Sequence, residues 1–213
     1  MSNLSMLPIS DLKKIFDLNV MIETGTEGGY GVEVGLRAGF EEVYSCEVIE
    51  KNYFIAQKKF GGYENVHLFR GTSKDMLPIM LDSVGEEQVL FWLDAHLPNC
   101  FDLERDYSIN DILPLEDEVE IIKNHEVHNC DNDVICIDDL CLLDEKFRGA
   151  DFDLQRWTGN KGARDMGVDT IIDIFSNHIW YRDDRADGIL IGFPNIDNSE
   201  IKQLIDQNKW VRI

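Results

Sequence analysis

Short apolar runs alternate with amphipathic segments along most of the chain. Runs at 19–23, 43–47, 66–70, 89–94 and 134–138 read as strands, the fourth nearly unbroken in its apolar character, as expected of a strand covered on both faces. Between them lie a helix after the turn at 24–29, running to Phe40, then helices at 50–60, at 74–83 and from near Ile112. In the last of these Ile112, Leu115, Val119 and Ile122 fall on one helical face. A short capped helix is expected to open the chain at Ser10, covering 10–16. Beyond a loop rich in glycine and charge at 149–167 come a helix at 170–176, two strands at 179–181 and 188–193, and a short helix at 199–207. Five strand–helix repeats followed by a C-terminal β-hairpin predict an α/β fold, a doubly wound and mostly parallel sheet.

Composition narrows the partners. A length of 213 residues, with no internal repeat or linker, suits one domain over 1–213. The formal net charge is −21, which argues against nucleic acid or an anionic membrane surface. No apolar run reaches the length of a membrane-spanning helix, and the first 16 residues lack the basic start and apolar core of a signal peptide. Five cysteines, an odd number, fit reduced thiols, so a cytoplasmic location is expected. His125, His128, Cys130, Cys136 and Cys141 lack the close ligand pairs of structural zinc, and the reading favours ordinary thiols.

Ligands of open parallel sheets sit beyond the carboxyl ends of the strands, so the turn after the first strand is the first place to search. Gly25 and Gly29 let the backbone approach a ligand there, and the following helix offers unpaired N–H groups. The second strand ends at Glu47, 24 residues beyond Glu23, where a carboxylate can accept hydrogen bonds from a ribose diol. The turn lacks the G-x-G-x-x-G spacing of dinucleotide sites, and Glu27 would repel a diphosphate. Glu23 suits the cationic amino group of a methionine moiety instead, and a sulfonium tolerates nearby carboxylates. S-adenosyl-L-methionine (SAM) is favoured over a nicotinamide dinucleotide on charge.

Glu23-Thr24-Gly25-Thr26-Glu27-Gly28-Gly29, Tyr44-Ser45-Cys46-Glu47, Leu93-Asp94-Ala95-His96 and Ile137-Asp138-Asp139 together resemble the motifs of class I SAM-dependent methyltransferases. The branch they resemble most carries an L-D-A-H motif and is related to macrocin-type, metal-dependent sugar O-methyltransferases. The resemblance covers about residues 19–193 and implies a Rossmann-like fold. By it, Glu23, Gly25 and Thr26 line the methionine end, Glu47 holds the ribose, and Thr72 and Ser73 lie near the adenine. Glu27 departs from the usual middle glycine of the class.

A second acidic group closes the fourth and fifth strands. Asp94, Asp138 and Asp139 converge with His96, and such like charges call for a cation, Mg²⁺ or another hard divalent ion. In the sugar enzymes this cluster binds a metal that holds two adjacent acceptor hydroxyls, which the resemblance carries to Asp94, Asp138 and Asp139. His96, with an ordinary pKa of about 6.5, suits a general base, although an aspartate stands at this place in the sugar enzymes. Capping for Asp138-Asp139, and a backbone contact for His96, are the plainer alternatives.

Residues 101–145 hold 15 acidic and 2 basic side chains, most of them read as a solvated face. The insertion at 97–111, with Asp106 and Tyr107, is a candidate acceptor lid. The stretch 148–164, with Arg156, Trp157 and Lys161, is the one locally basic and aromatic segment near the fifth strand. The expected activity is metal-assisted methyl transfer to a hydroxyl of a small-molecule or glycan acceptor, with a carbohydrate or polyol favoured. A dinucleotide oxidoreductase and an inactive scaffold of the same fold are the alternatives, and homo-oligomerisation stays open.

Overall fold

The computed structural model describes residues 4–96, 113–144 and 167–213. The 97–111 insertion with Asp106 and Tyr107, Ile112, and the 148–164 stretch with Arg156, Trp157 and Lys161 lie outside them.

Eight strands form one sheet: β1 (Val20–Thr24), β2 (Glu42–Glu47), β3 (Val66–Arg70), β4 (Val89–Leu93), β5 (Val134–Ile137), β6 (His178–Asp183), β7 (Ile189–Pro194) and β8 (Val211–Arg212). Their order is β3-β2-β1-β4-β5-β7-β6-β8. The first five run parallel, and β6, β7 and β8 add antiparallel, so the expected hairpin is present with β7 inserted beside β5. Chain order reverses between β1 and β4, which makes the tips of these two strands the switch point of the sheet. Register aligns the tips, with Thr24 opposite both Cys46 and Leu93, and Leu93 opposite Ile137.

The helices are α1 (Ile9–Phe16), α2 (Tyr30–Ala38), α3 (Glu50–Phe60), α4 (Ser73–Val84), α5 (Leu115–Asn124), α6 (Leu140–Leu143), α7 (Val168–Ile174) and α8 (Ser199–Asn208). Alternation along the strands feeds two cores. In β4, Val89, Phe91 and Leu93 meet α4, α5 and α7 on one face, while Leu90 and Trp92 share the other face with α1, α2, α3 and α8. Both faces are therefore covered, which is why β1 and β4 are buried at every residue.

Three local expectations change. The first helix begins at Ile9 behind Pro8, with no side-chain cap, so Ser10 lies inside its first turn rather than opening it. The helix expected from near Ile112 has its first helical residue at Leu115. Residues 211–212, too short for a pattern to show, add an edge strand by pairing with β6.

Candidate functional site

The turn after β1 folds across the tip of β2: the N–H groups of Gly25 and Thr26 both donate to Cys46 O, each at 3.0 Å. Gly25 has φ +87°, and a Cβ there would stand 2.6 Å from Asp94 O. This glycine is required because the β1 turn presses directly on the end of β4. Below it the Ser45 hydroxyl donates to Glu23 Oε2 at 2.6 Å, and Thr26 Oγ1 lies 2.6 Å from Ser45 Oγ. The single hydroxyl hydrogen of Ser45 goes to Glu23, so Thr26 is the donor in the second bond.

Glu23 is 2 % exposed. A Cβ on Gly31 would lie 1.7 Å from its Oε1, so α2 crosses the carboxyl only because residue 31 is glycine. Burial pushes Glu23 up to about 8; the Ser45 bond opposes this, and Asp94 and Glu47 add to it. An acid held this way is largely uncharged at neutral pH until a cation faces it. Glu47 is also buried, and its oxygens accept the N–H groups of Ile49 and Glu27, each at 2.7 Å. Burial raises it despite those bonds. It stands at the tip of β2 as expected, tied to its own loops, and a carboxylate retains further lone-pair positions for a diol.

Of the two residues expected near adenine, Thr72 is committed to the start of α4. Its hydroxyl accepts from Asp75 N at 3.2 Å and donates to Asp75 Oδ2 at 2.7 Å. Ser73, the first residue of α4, is buried, and its hydroxyl forms no hydrogen bond.

Across the switch point the Asp94 N–H reaches Thr24 O at 3.2 Å and Thr24 Oγ1 at 3.3 Å, which joins the two halves of the cleft. His96 Nδ1 lies 3.3 Å from Asp94 Oδ1, and its Nε2 lies 3.1 Å from Asp139 Oδ2. One donor atom from each of Asp94, His96 and Asp139 falls within 4.8 Å of the others, a span that fits one cation. Asp138, expected as the third ligand, is not in that group: its Oδ1 accepts the Asp139 N–H at 2.7 Å, although it lines the same cavity. That bond, with Asp139 at φ +52° ahead of α6, is the turn geometry that aims Asp139 inward. Burial pushes His96 down, but the Asp94 hydrogen bond and the charges of Asp139, Asp94 and Asp138 outweigh it and raise the ring to about 9. The imidazole is thus a cation between two acids at neutral pH.

Asp94, His96, Asp138 and Asp139 line a pocket of about 610 Å³, part of it open to solvent, together with Leu93, Leu115, Leu143 and Glu118. Glu118 on α5 is 1 % exposed and was absent from the residues expected at the site. A signal existed: it lies in the same apolar stripe as Leu115, Val119 and Ile122, where an acid is costly. The histidine–cysteine stretch takes no part. His128 spends its ring nitrogens on Gly85 O and Asp133 at the opposite end of the sheet, and Cys130, Cys136 and Cys141 are buried and form no disulfide.

No protein-family model and no curated protein sequence matches this chain. Solved structures do. A protein from Staphylococcus aureus with a provisional caffeoyl-CoA O-methyltransferase designation superposes with a TM-score of 0.58 at 13 % identity, over 92 % of this chain and 85 % of that one. TomG of Streptomyces achromogenes, an O-methyltransferase of tomaymycin synthesis solved with SAM, gives 0.53 at 15 % identity, over 91 % and 81 %. An O-methyltransferase from Bacillus cereus, solved with S-adenosylhomocysteine (SAH), gives 0.52 at 15 % identity, over 92 % and 82 %. At such identities the likeness establishes the fold, a Rossmann-like α/β fold shared with these methyltransferases.

Proposed function

We propose that this chain is a SAM-dependent O-methyltransferase, assisted by a divalent cation and acting on a hydroxyl of a carbohydrate or polyol-like acceptor. The observation that carries the reading is the junction at the switch point. Glu23 and Glu47, buried acids suited to a cationic nucleoside, stand on one side of Thr24, and Asp94, His96 and Asp139 stand on the other.

SAM supplies an electrophilic methyl group on a sulfonium, whose positive charge suits a cleft of buried carboxyls. Glu23 faces the ammonium of the methionine end, Gly25 and Thr26 shape the turn around it, and Glu47 accepts from the ribose. Asp94 and Asp139, with Asp138 beside them, would hold a divalent ion, which would supply positive charge that makes an acceptor hydroxyl more acidic. The acceptor hydroxyl attacks the methyl carbon, the C–S bond breaks, and its electron pair stays on sulfur. The hydroxyl proton passes to His96. Burial disfavours the imidazolium, and the charges of Asp139, Asp94 and Asp138 favour it. A divalent ion on those carboxylates would cancel that support and leave a neutral ring able to act as a base.

Charge also selects the acceptor class. The caffeoyl-CoA of the Staphylococcus designation carries several phosphates. An acidic cleft in a chain of net charge −21 opposes such an anion and favours a neutral polyol. The same charge disfavours nucleic acid and anionic membrane as partners, and no described helix is long and apolar enough to cross a membrane.

Calorimetric titration with SAM, followed by transfer of labelled methyl to a panel of glycosides and polyols, tests the reading. Glu47→Ala should weaken SAM binding at least tenfold, about 1.4 kcal/mol, and Asp94→Ala should abolish transfer. A chain that binds no SAM overturns the proposal. Turnover that survives exhaustive chelation removes the metal and leaves the rest.

A further inference from the structure

Glu118 lines the same pocket as Asp94, His96, Asp138 and Asp139, is 1 % exposed, and its Oε1 has no hydrogen-bond partner. Its three aspartate neighbours are engaged. Asp94 and Asp139 flank His96 at 3.3 and 3.1 Å, and Asp138 accepts the Asp139 N–H at 2.7 Å. Leaving a buried acceptor unpaired is costly, and more so when it is charged. Glu118 also stands on α5 beside Val119 and Ile122 of the core, where an apolar residue would pack without that cost. Burial pushes its carboxyl up to about 7, against the Ser73 and Thr24 hydroxyls and with Asp94 and Asp117 adding to the rise.

A partner of matching charge has to come with the ligand. Among the described residues lining the pocket the basic group is His96, already placed between Asp94 and Asp139, and no lysine or arginine joins it. Glu118 also falls outside the Asp94–His96–Asp139 group whose ligand atoms lie within 4.8 Å of one another. Hard dications gather several oxygen ligands, which one carboxylate outside that group does not supply. An ammonium suits it better, because a single carboxylate oxygen forms a charge-assisted hydrogen bond with one of its N–H donors. A neutral hydroxyl also donates but leaves the negative charge of this lining uncompensated. Leu93, Leu115 and Leu143 supply apolar contact for the carbon skeleton that carries the group.

We propose that the acceptor is an amino sugar or a similar amino-bearing polyol, its ammonium paired with Glu118 Oε1 and its reacting hydroxyl beside Asp94 and Asp139. The inference rests on the methyltransferase reading and adds a charged group to the acceptor named there. It accounts for the acid in the apolar stripe of α5, which gains its partner when the acceptor binds. It also sets which atom is methylated. An ammonium has no lone pair, so while Glu118 holds it the nitrogen cannot attack the sulfonium methyl, and oxygen is left as the nucleophile. N-acetylation removes the charge and with it the reason for Glu118 to prefer the compound.

The test is calorimetric titration of the full chain, in the presence of SAH and Mg²⁺, with methyl glucoside, its monoamino-deoxy counterparts and their N-acetyl derivatives. Transfer of labelled methyl from SAM to the same compounds accompanies it. At least one amine should bind about tenfold or more tightly than methyl glucoside and than its own N-acetyl form, and should carry the label on oxygen. Glu118→Gln keeps an acceptor oxygen and loses the charge, and should narrow that preference to within about threefold. If a thermal melt shows the variant to fold poorly, the N-acetyl comparison, made on the unaltered chain, still decides. Amines that bind no more tightly than the glucoside, label on nitrogen, or a preference undiminished in folded Glu118→Gln overturns the ammonium assignment and leaves the methyltransferase reading standing. Failure of the unaltered chain to bind SAH or SAM overturns both.

Discussion

Ligand binding at Glu23 should be linked to protons. The free carboxyl is raised to about 8 by burial, with Asp94 and Glu47 adding to the rise. At pH 7 a group with that value is about 0.9 protonated, and a bound ammonium favours the carboxylate, so about 0.9 proton leaves from this site on binding. The sign follows. Binding draws on the ionised form, so affinity grows as pH rises toward 8 and falls by roughly ninefold between pH 7 and pH 6. Calorimetry of SAM binding in two buffers of different ionisation enthalpy counts the protons. His96, raised to about 9, and Glu118, raised to about 7, sit nearby and can add their own exchange, so the wild-type count alone does not isolate Glu23. The diagnostic quantity is the difference from Glu23→Gln, an uncharged isostere that keeps an acceptor for Ser45. That variant should release about 0.9 fewer protons at pH 7 and lose most of the affinity slope between pH 6 and 7. Equal proton counts in the two proteins would refute the placement of a cation at Glu23.

Other perturbations probe the frame. Asp133→Asn puts an NH₂ in place of one of the two oxygens that serve the Val89 N–H (2.8 Å) and the buried His128 ring (2.7 Å); it should cost about 3–5 kcal/mol in urea unfolding, and a loss below about 1 kcal/mol would show that no charged pair stands there. Asp183→Asn weakens the anchor that receives the Arg185 guanidinium and Trp210 Nε1 (2.9 Å), and should cost about 2 kcal/mol at neutral pH. Burial raises Asp183, but the Arg185 and Trp210 bonds outweigh it and hold it below the ordinary carboxylate value; the stabilisation is present above that ordinary value and lost as pH falls through the lower folded one, so the variant's deficit should shrink in acid. Glu27→Gly relieves φ +47° in the turn while keeping the N–H bond to Glu47, and should raise stability by up to about 1 kcal/mol; a drop in melting temperature instead would show that the Glu27 side chain itself holds the turn.

The parallel core of the fold was legible because its strands are covered on both faces. Val89–Leu93 writes that as an unbroken apolar run, and the alternation of strands and helices gave a doubly wound sheet, whereas the order that reverses between β1 and β4 appears only in the folded chain. Short elements carried less signal: α6 spans four residues and β8 two, and β8 exists because β6 offers an edge. Pro8, rather than a polar cap, starts α1, and a proline's fixed φ leaves no hydrogen-bonding side chain to mark the boundary.

The acids at strand tips were legible too, but their partners were not. Glycines in the turn suggested room for a ligand, whereas the Cβ positions of Gly25, Gly29 and Gly31 face Asp94 O, Phe60 and Glu23. Gly25 lets the turn press on the end of β4, Gly29 makes room for Phe60, and Gly31 lets α2 cross the buried Glu23 carboxyl. Glu47 is bound by its own loop amides, Asp138 is spent on the turn that aims Asp139, and His96 takes the place between Asp94 and Asp139. Each substitution of role depends on where a side chain points after the strand ends, a direction that residue spacing does not encode once the chain leaves regular geometry. What the folded chain adds is a cost. Glu23, Glu47, Glu118 and Asp139 are all pushed up by burial, so the cleft resists carrying their charges alone. Such an arrangement favours whatever positive charge enters it, which is the ground on which a sulfonium and a divalent ion are proposed for it. A ligand of similar shape without positive charge gains only hydrogen bonds from those acids, and an anion is repelled, so charge enters the selection of ligands alongside form.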